Sequence, residues 1–283
     1  MTDKYAVIGN PIAHSKSPQI HRIFAEQTGQ DISYEAILAP LDGFAATVER
    51  LRKEGYKGCN VTVPFKFDAA KIISDVTKEV MDAIDSGDHA DAVNTLDFRN
   101  KKIVGHNTDG IGLVRDITQN LGFRIAGKRI LLMGAGGAAY GVLHPLLDEK
   151  PQELVIANRT LEKAQKIEEK IRGTAQFPTT SVSSSNYPDL SGKSFDLIIN
   201  ATSAGLTDSE IPLPGAIFAP DALAYDMMYG RETPFMKFAR EHGAAIVVSD
   251  GLGMLVEQAA EAFHIWRGVR PDTAPVIAAV RKQ

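Results

Sequence analysis

The sequence predicts an α/β protein of two domains, the second a doubly wound parallel sheet. Three observations carry that expectation. The chain has 283 residues, about two domains' worth at roughly 150 residues each. Short apolar runs alternate with longer stretches of helical periodicity, the pattern of parallel strands joined by crossover helices. A glycine-rich turn, residues 134–139, stands between a strongly apolar strand and the helix after it.

Residues 5–8 read as a strand, and Ser17-Pro18 opens a helix, since proline suits the first helical position. Residues 34–38 form the next strand. Phe44, Val48 and Leu51 share one helical face, which Gly55 ends. Residues 58–63 are a strand stopped by Pro64. Residues 93–96 and 103–104 complete a strand-rich first part, and a helix starts near Asp109, whose carboxylate suits a helix N-terminus. From residue 129 the rhythm sharpens. Residues 130–133 are a buried strand, followed by the glycine turn and a helix to 147. A strand at 154–157, a helix at 160–171 and strands at 195–200, 223–226 and 245–248 follow. The serine-rich run 181–185 reads as a surface loop. Residues 255–266 form the last helix, which returns to the first domain. The expected division is therefore 1–108 plus 251–283 for one domain and 109–250 for the other.

Composition narrows the function classes. The formal net charge is −4 with a pI near 6.0, which argues against a nucleic-acid binder that needs a basic stripe. The one cysteine, Cys59, cannot form an internal disulfide and suits a reducing cytoplasm. No basic segment leading into an apolar run opens the chain. The longest uncharged stretch, 130–147, is broken by glycines and Pro145, so no membrane span is expected. The seven histidines show no metal-ligand spacing, and no metal is expected.

Gly134-Ala135-Gly136-Gly137-Ala138-Ala139 fits G-x-G-x-x-A in its required place, after a strand and at the start of a helix. Gly134 permits the tight turn, Gly136 lets backbone approach a pyrophosphate, and Ala139 allows close helix–strand packing. The free N–H groups of the helix start suit phosphates. At the end of the next strand, where an NAD site usually has an acidic residue, stand Asn158, Arg159 and Thr160, with Lys163 one turn on. Arginine there suits a ribose 2′-phosphate, so the expected cofactor is NADP(H). A second glycine-lysine segment, 122–128, is not a triphosphate loop. It precedes its strand, and Arg129 replaces the required hydroxyl residue.

Polar clusters mark a second site. Ser15 and Ser17 form a hydroxyl pair beside a helix start that can hold a carboxylate, although Ser17 equally suits a helix cap. Asn60 and Thr62 alternate on one strand face, and Lys66 follows Pro64. Asn107-Thr108-Asp109 is a further polar turn. Lys66 with Asp109 suits proton transfer in alcohol oxidation; the residues alone leave open an ordinary surface pair.

In their order and spacing these motifs resemble the shikimate dehydrogenase family over nearly the whole chain. The match runs through residues 9–18, 60–66, Ala92-Val93-Asn94-Thr95, 105–112, 134–139, 158–160, Asn200-Ala201-Thr202-Ser203-Ala204-Gly205, Tyr225-Asp226-Met227-Met228-Tyr229 and 251–260. The resemblance implies NADPH-dependent, reversible reduction of 3-dehydroshikimate to shikimate. It implies Ser15 and Ser17 on the substrate carboxylate, and Asn60, Thr62, Asn94, Asp109 and Gln258 on ring hydroxyls, with Tyr229 nearby. Lys66 and Asp109 are then the catalytic pair. Gly134, Gly136, Gly137, Ala138, Ala139, Asn158, Arg159, Thr160 and Lys163 hold the cofactor, with Thr202, Ser203, Met227, Gly251 and Met254 around its nicotinamide. A small-molecule substrate is the only partner implied, in a cytoplasmic monomer or homodimer. Asp91, Tyr140, Arg267 and the length of 80–89 depart from the family's usual pattern. Neighbouring readings are a quinate or aminoshikimate paralogue using NAD, a folate-linked dehydrogenase and a non-catalytic NADP sensor. Asn158-Arg159, the two serines and Thr62 argue against the first, the double-serine loop and the Gln258 helix against the second, and Lys66 with Asp109 against the third.

Overall fold

A computed structural model describes residues 2–73, 75–76, 92–99, 102–174, 176–202, 204, 212–243 and 247–282. Asp91, the segment 80–89 and Ser203 lie outside these residues. The chain divides into two units, Met1–Gly112 with Leu255–Gln283, and Leu113–Met254. Among the described residues no helix is long and apolar enough to cross a membrane.

The first unit is built on a mixed sheet. Its strands are β1 (Asp3–Gly9), β2 (Ile32–Leu38), β3 (Tyr56–Val61), β4 (Asp75–Val76), β5 (Thr95–Asp97) and β6 (Val104–His106), in the order β2-β1-β3-β5-β6-β4. β1 runs parallel to β2 and β3, whereas β5 is antiparallel to both β3 and β6. Helices α1 (Ser17–Thr28), α2 (Phe44–Lys53) and α3 (Lys66–Ile72) connect the strands. As the periodicity predicts, α2 buries Phe44, Val48 and Leu51. These pack with Ile8, Val61, Phe65 and Leu96 in one core.

The second unit begins within α4 (Asp109–Arg115), which continues as a π turn, Asp116–Asn120. Its sheet contains β7 (Arg129–Met133), β8 (Glu153–Ala157), β9 (Ser181–Ser185), β10 (Phe195–Asn200), β11 (Phe218–Asp226) and β12 (Val247–Ser249). All pairs are parallel, in the order β12-β11-β10-β7-β8-β9. Numbered from β7, this is the 3-2-1-4-5-6 order of dinucleotide-binding sheets. Alternation along each strand covers both faces. Ile130, Leu132, Leu154, Ile156, Leu197 and Ile199 share one core with α5 (Gly137–Asp148) and α6 (Leu161–Thr174). Leu131, Met133, Val155, Ile198 and Ala224 pack on the other face with Phe235 and Ala239 of α7 (Pro234–His242). A parallel sheet buried on both faces reads as continuous apolar runs for this reason.

Four expectations need correction. Residues 181–185 are the edge strand β9, not a loop. Their backbone completes the sheet against β8, Val182 opposite Leu154 is buried, and the Ser184 amide donates to Glu168 Oε2 at 2.7 Å. Pairing and burial override the weak strand preference of serine. Ser17 does not cap α1: Lys16 holds the cap position, and Ser17 is the first helical residue, its amide donating to Ser15 Oγ at 3.3 Å. The strand expected at 93–96 is confined to Thr95–Asp97, because the ladder with β3 begins at Thr95. The helix read at 255–266 is α8 (Leu252–Arg267), and a further helix, α9 (Ala274–Arg281), follows it.

The C-terminal half of α8 packs on the first sheet. Trp266 stacks on Tyr5 with ring centroids 4.7 Å apart, and its indole N–H donates to the Leu96 carbonyl at 3.2 Å. Arg267 donates to Asp3 Oδ2 at 2.5 Å and Gln30 Oε1 at 2.8 Å. A Cβ at Gly58 would overlap both the Trp266 indole and the Leu96 carbonyl. Gly58→Ala is therefore expected to lower stability by about 1–3 kcal/mol, the usual cost of overpacking; urea unfolding measures it.

Candidate active site

The register of three strands gathers the polar residues of the first unit. Asn60 lies opposite Thr95, and Thr95 opposite His106. The end of β3, the approach to β5 and the exit from β6 are thus adjacent, and they carry Asn60, Asn94 and Asn107-Thr108-Asp109. A one-residue slip would turn each of these side chains to the other face. Backbone bonds lock the arrangement: Val61 N to Asn94 O at 2.7 Å, Asn94 N to His106 O at 3.1 Å and Val93 N to Lys66 O at 3.1 Å.

Asn94 is the hub. Its Oδ1 accepts from the Thr108 amide at 2.9 Å and from Thr95 Oγ1 at 2.9 Å. Those donors fix which end of the amide is the oxygen. Its Nδ2 therefore donates to Asp109 Oδ1 at 2.9 Å and Thr108 Oγ1 at 3.0 Å, with Gln258 Oε1 at 3.5 Å. Thr108 Oγ1 reaches Gln258 Oε1 at 3.3 Å. Lys66 Nζ donates to Asp109 Oδ2 at 2.5 Å, and the two side chains are 18% and 9% exposed. Asp109 is also held through its backbone, its amide donating to Asn107 Oδ1 at 3.0 Å. The pair is thus sheltered, with both carboxylate oxygens engaged. An ammonium has three donors, of which the Asp109 bond takes one.

The network extends toward α1. Asn60 Nδ2 donates to Thr95 Oγ1 at 2.9 Å, and Asn60 Oδ1 accepts from the Tyr34 hydroxyl at 2.7 Å. The Tyr34 hydroxyl also interacts with Ser17, and burial pushes its pKa well above the ordinary tyrosine range. Ser17, Asn60, Asn94, Gln258, Lys66 and Asp109 are therefore joined in one chain of contacts. Ser15 stands beside Ser17. Thr62 sits just past β3, its amide donating to Ile8 O at 2.9 Å. Sequence reasoning missed Tyr34, Thr95 and Thr108 as parts of this network. Thr95 and Thr108 lie inside quoted motifs; Tyr34 carries no local signal, because its role arises from the pairing of β2 with β1.

The second unit presents its turns at the C-terminal ends of its strands, where parallel sheets bind ligands. Gly134 has φ +110, which favours glycine, and a Cβ there would press on the Ala201 carbonyl at 3.0 Å. Gly136 is exposed, and a Cβ there would meet nothing within 4 Å. No side chain caps α5, whose first residues are Gly137 and Ala138, and Ala139 is fully buried. An open glycine before uncapped N–H groups fits a pyrophosphate. Asn158 Nδ2 donates to Thr160 O at 2.8 Å, shaping the turn that leaves Arg159 and Lys163 exposed. A 2′-phosphate fits there.

The neighbouring loops are tied to these turns. Asn200 Oδ1 accepts from Thr202 Oγ1 at 2.7 Å, and Asn200 O accepts from Met227 N at 3.0 Å. Asp226, fully buried, accepts from Asn200 Nδ2 at 3.0 Å, Thr233 Oγ1 at 2.5 Å and Met228 N at 2.9 Å. Burial raises its pKa, and these donors offset part of that shift. Gly251 N donates to Met228 O at 2.9 Å. Gly134, Thr202, Met227 and Gly251 thus form a continuous rim, with Tyr229 two residues from Met227 and Met254 in the first turn of α8. Among the described residues no cluster of potential metal ligands occurs.

Residues 7–96 match the shikimate dehydrogenase substrate binding domain. Residues 115–207 match shikimate / quinate 5-dehydrogenase and 251–281 the shikimate 5′-dehydrogenase C-terminal domain. The chain is 58% identical to the NADP(+) shikimate dehydrogenase of Methylobacillus flagellatus, over 99% of both chains. The chain belongs to the shikimate dehydrogenase family. The family member of Dechloromonas aromatica is 55% identical over 99% of this chain and 98% of its own. Among solved structures, an Ael1 enzyme from Pseudomonas putida superposes with a TM-score of 0.88, 46% identity and 98% coverage of each chain. The shikimate dehydrogenase of Thermus thermophilus in complex with NADP(H) and shikimate gives 0.84 at 29% identity, over 99% of each chain.

His21 buttresses the network from behind. It is fully buried, stacked on Tyr34 with ring centroids 4.0 Å apart, and burial lowers its pKa to about 3 from 6.5. The unfolded chain therefore binds a proton at His21 below pH 6.5 that the native state refuses until about pH 3. Stability from this group is present above the unfolded value and falls as pH drops through that window. At about pH 4.5 the loss is on the order of 2–3 kcal/mol. Urea midpoints at about pH 7 and about pH 4.5 are expected to differ less in His21→Phe than in wild type.

Proposed function

We propose that the protein is an NADP-linked shikimate dehydrogenase that reduces 3-dehydroshikimate reversibly to shikimate, with Lys66 and Asp109 as its catalytic pair. The observation that carries this reading is the 2.5 Å contact between Lys66 Nζ and Asp109 Oδ2 amid fixed amides and hydroxyls. The substrate belongs to the first unit. Ser15 and Ser17 take its carboxylate, and Asn60, Thr62, Asn94, Asp109 and Gln258 its ring hydroxyls; Tyr229 is assigned to the substrate as well.

The cofactor belongs to the second unit. Gly134, Gly136, Gly137, Ala138 and Ala139 receive the pyrophosphate. Asn158, Arg159, Thr160 and Lys163 receive the ribose with its 2′-phosphate. Thr202, Ser203, Met227, Gly251 and Met254 flank the nicotinamide. NADPH held by these residues would supply the hydride for reduction of the ketone. Negative charge then grows on the ketone oxygen, and a Lys66 ammonium stabilises it and donates the proton. In oxidation Lys66 accepts that proton, and Asp109 balances the charge that results. Asn94 holds Asp109 in place throughout.

The deciding assay follows absorbance of NADPH with shikimate or quinate, each with NADP+ or NAD+. Shikimate with NADP+ is expected to be the fastest pair. Preference for quinate with NAD+ would overturn the reading, and NADPH binding without turnover would mark a sensor. Lys66→Ala is expected to lower kcat by about 10²–10⁴-fold, the range for a proton-transfer group; near-normal turnover would remove Lys66 from the chemistry. Arg159→Ala is expected to raise KM for NADP+ about 10–100-fold, the worth of a charged hydrogen bond, while KM for NAD+ stays nearly constant.

A further inference from the structure

Two buried groups of the second unit take no part in the chemistry above. Asp116 opens the π turn and is 3% exposed; Tyr225, on β11, is fully buried. The Tyr225 hydroxyl donates to Asp116 Oδ2 at 2.6 Å, and Asn120 Nδ2 donates to Asp116 Oδ1 at 2.9 Å. Tyr225 and Met254, the latter in the first turn of α8, are buried in the same core. A Cβ at Gly253 would overlap both oxygens of the Asp116 carboxylate, and one at Gly251 would overlap the Met227 carbonyl. The turn 251–254 is thus pressed against polar atoms at two points and requires glycine at both.

A buried carboxylate is costly unless its oxygens are paired, and apolar side chains could fill the same space more cheaply. What the pair supplies is direction. Hydrogen bonds fix the carboxylate on both oxygens, and its close contact with Gly253 fixes the turn. Packing alone tolerates sliding; a carboxylate bonded through both oxygens does not. The π turn at Asp116 serves the same end, since such turns re-aim a side chain within a helix.

We propose that Asp116 and Tyr225 are positioning residues that fix the turn 251–254 at the nicotinamide end of the cofactor without touching the cofactor. This rests on the assignment of Gly251 and Met254 to the cofactor. Tyr225 stands within a quoted motif and Asp116 just beyond one; neither carries a role in the sequence reading.

The test compares wild type with Tyr225→Phe, Gly253→Ala, Asp116→Asn and Asp116→Ala. Fluorescence titration gives the NADPH Kd, steady-state rates give KM for each substrate and kcat, and calorimetry gives Tm. Measurements are made well below each variant's Tm. Tyr225→Phe removes a single oxygen and is expected to raise NADPH Kd and cofactor KM about tenfold, the worth of one hydrogen bond to a charged group. KM for shikimate is expected to stay within about twofold. Gly253→Ala is expected to show the same split. Asp116→Asn still accepts from Tyr225 and is expected to retain more NADPH affinity than Asp116→Ala. Hydrogen exchange is expected to quicken at 251–255 in Tyr225→Phe while the rest of β11 keeps its protection. A lower Tm with unchanged Kd and cofactor KM would overturn the proposal, as would equal loss of affinity for both substrates. Wild-type protein that binds NADPH but does not oxidise shikimate would overturn the functional reading alone, because Kd and exchange still decide the role of Tyr225. Wild-type protein that does not bind NADPH would overturn both.

Discussion

Asp109 is a carboxylate taken largely out of water, and the polar architecture of the first unit follows from satisfying it. One oxygen accepts from Lys66 at 2.5 Å, the other from Asn94 at 2.9 Å. Asn94 can donate there only because Thr95 and Thr108 hold its other end as acceptor. Those threonines meet only if β5 runs antiparallel between β3 and β6 in the observed register. A partly satisfied buried network costs more than an apolar one. Strand pairing, amide orientation and the Lys66–Asp109 contact therefore stand or fall together.

The second unit answers a different constraint, the approach of an anion to backbone. Gly134 turns at a positive φ, Gly136 leaves space where any side chain would project, and Ala139 lets α5 lie close on the sheet. The rim beyond is held by buried polar atoms, Asn200 with Asp226 and Asp116 with Tyr225. Both proposed ligands are anions, although the chain carries a net charge of −4. The compensation proposed is local: Arg159, Lys163 and helix N–H groups on one unit, Lys66 and hydroxyls on the other. Net charge governs solubility and long-range encounter, whereas a site is governed by the few groups within hydrogen-bond reach.

Much of this was legible in the chain because the signals are local. Strands buried on both faces announce themselves as apolar runs, as at Arg129–Met133 and Phe195–Asn200. The glycine turn is readable because each glycine answers a backbone demand at its own position. Motif order exposed Asn60, Lys66, Asn94, Asp109 and Gln258, although they span almost two hundred residues. The misreadings share one cause. Ser181–Ser185 lacks apolar periodicity, so only an available edge of the sheet makes it a strand. Ser17 looks like a cap, but the backbone places the cap one residue earlier.

The amino-acid order alone set the alternation of strands and helices, the parallel second sheet, the glycine turn and the identity of the polar residues gathered in the first unit. Tertiary structure decided what those residues do to one another. Tyr34 reaches Asn60, Thr108 orients Asn94, Gly58 admits the Trp266 indole, and Gly253 makes room for Asp116. Local propensity and motif are properties of neighbours along the chain. A hydrogen bond between residues 34 and 60, or a glycine required by a carboxylate far away in sequence, exists only once strand register has brought the two together.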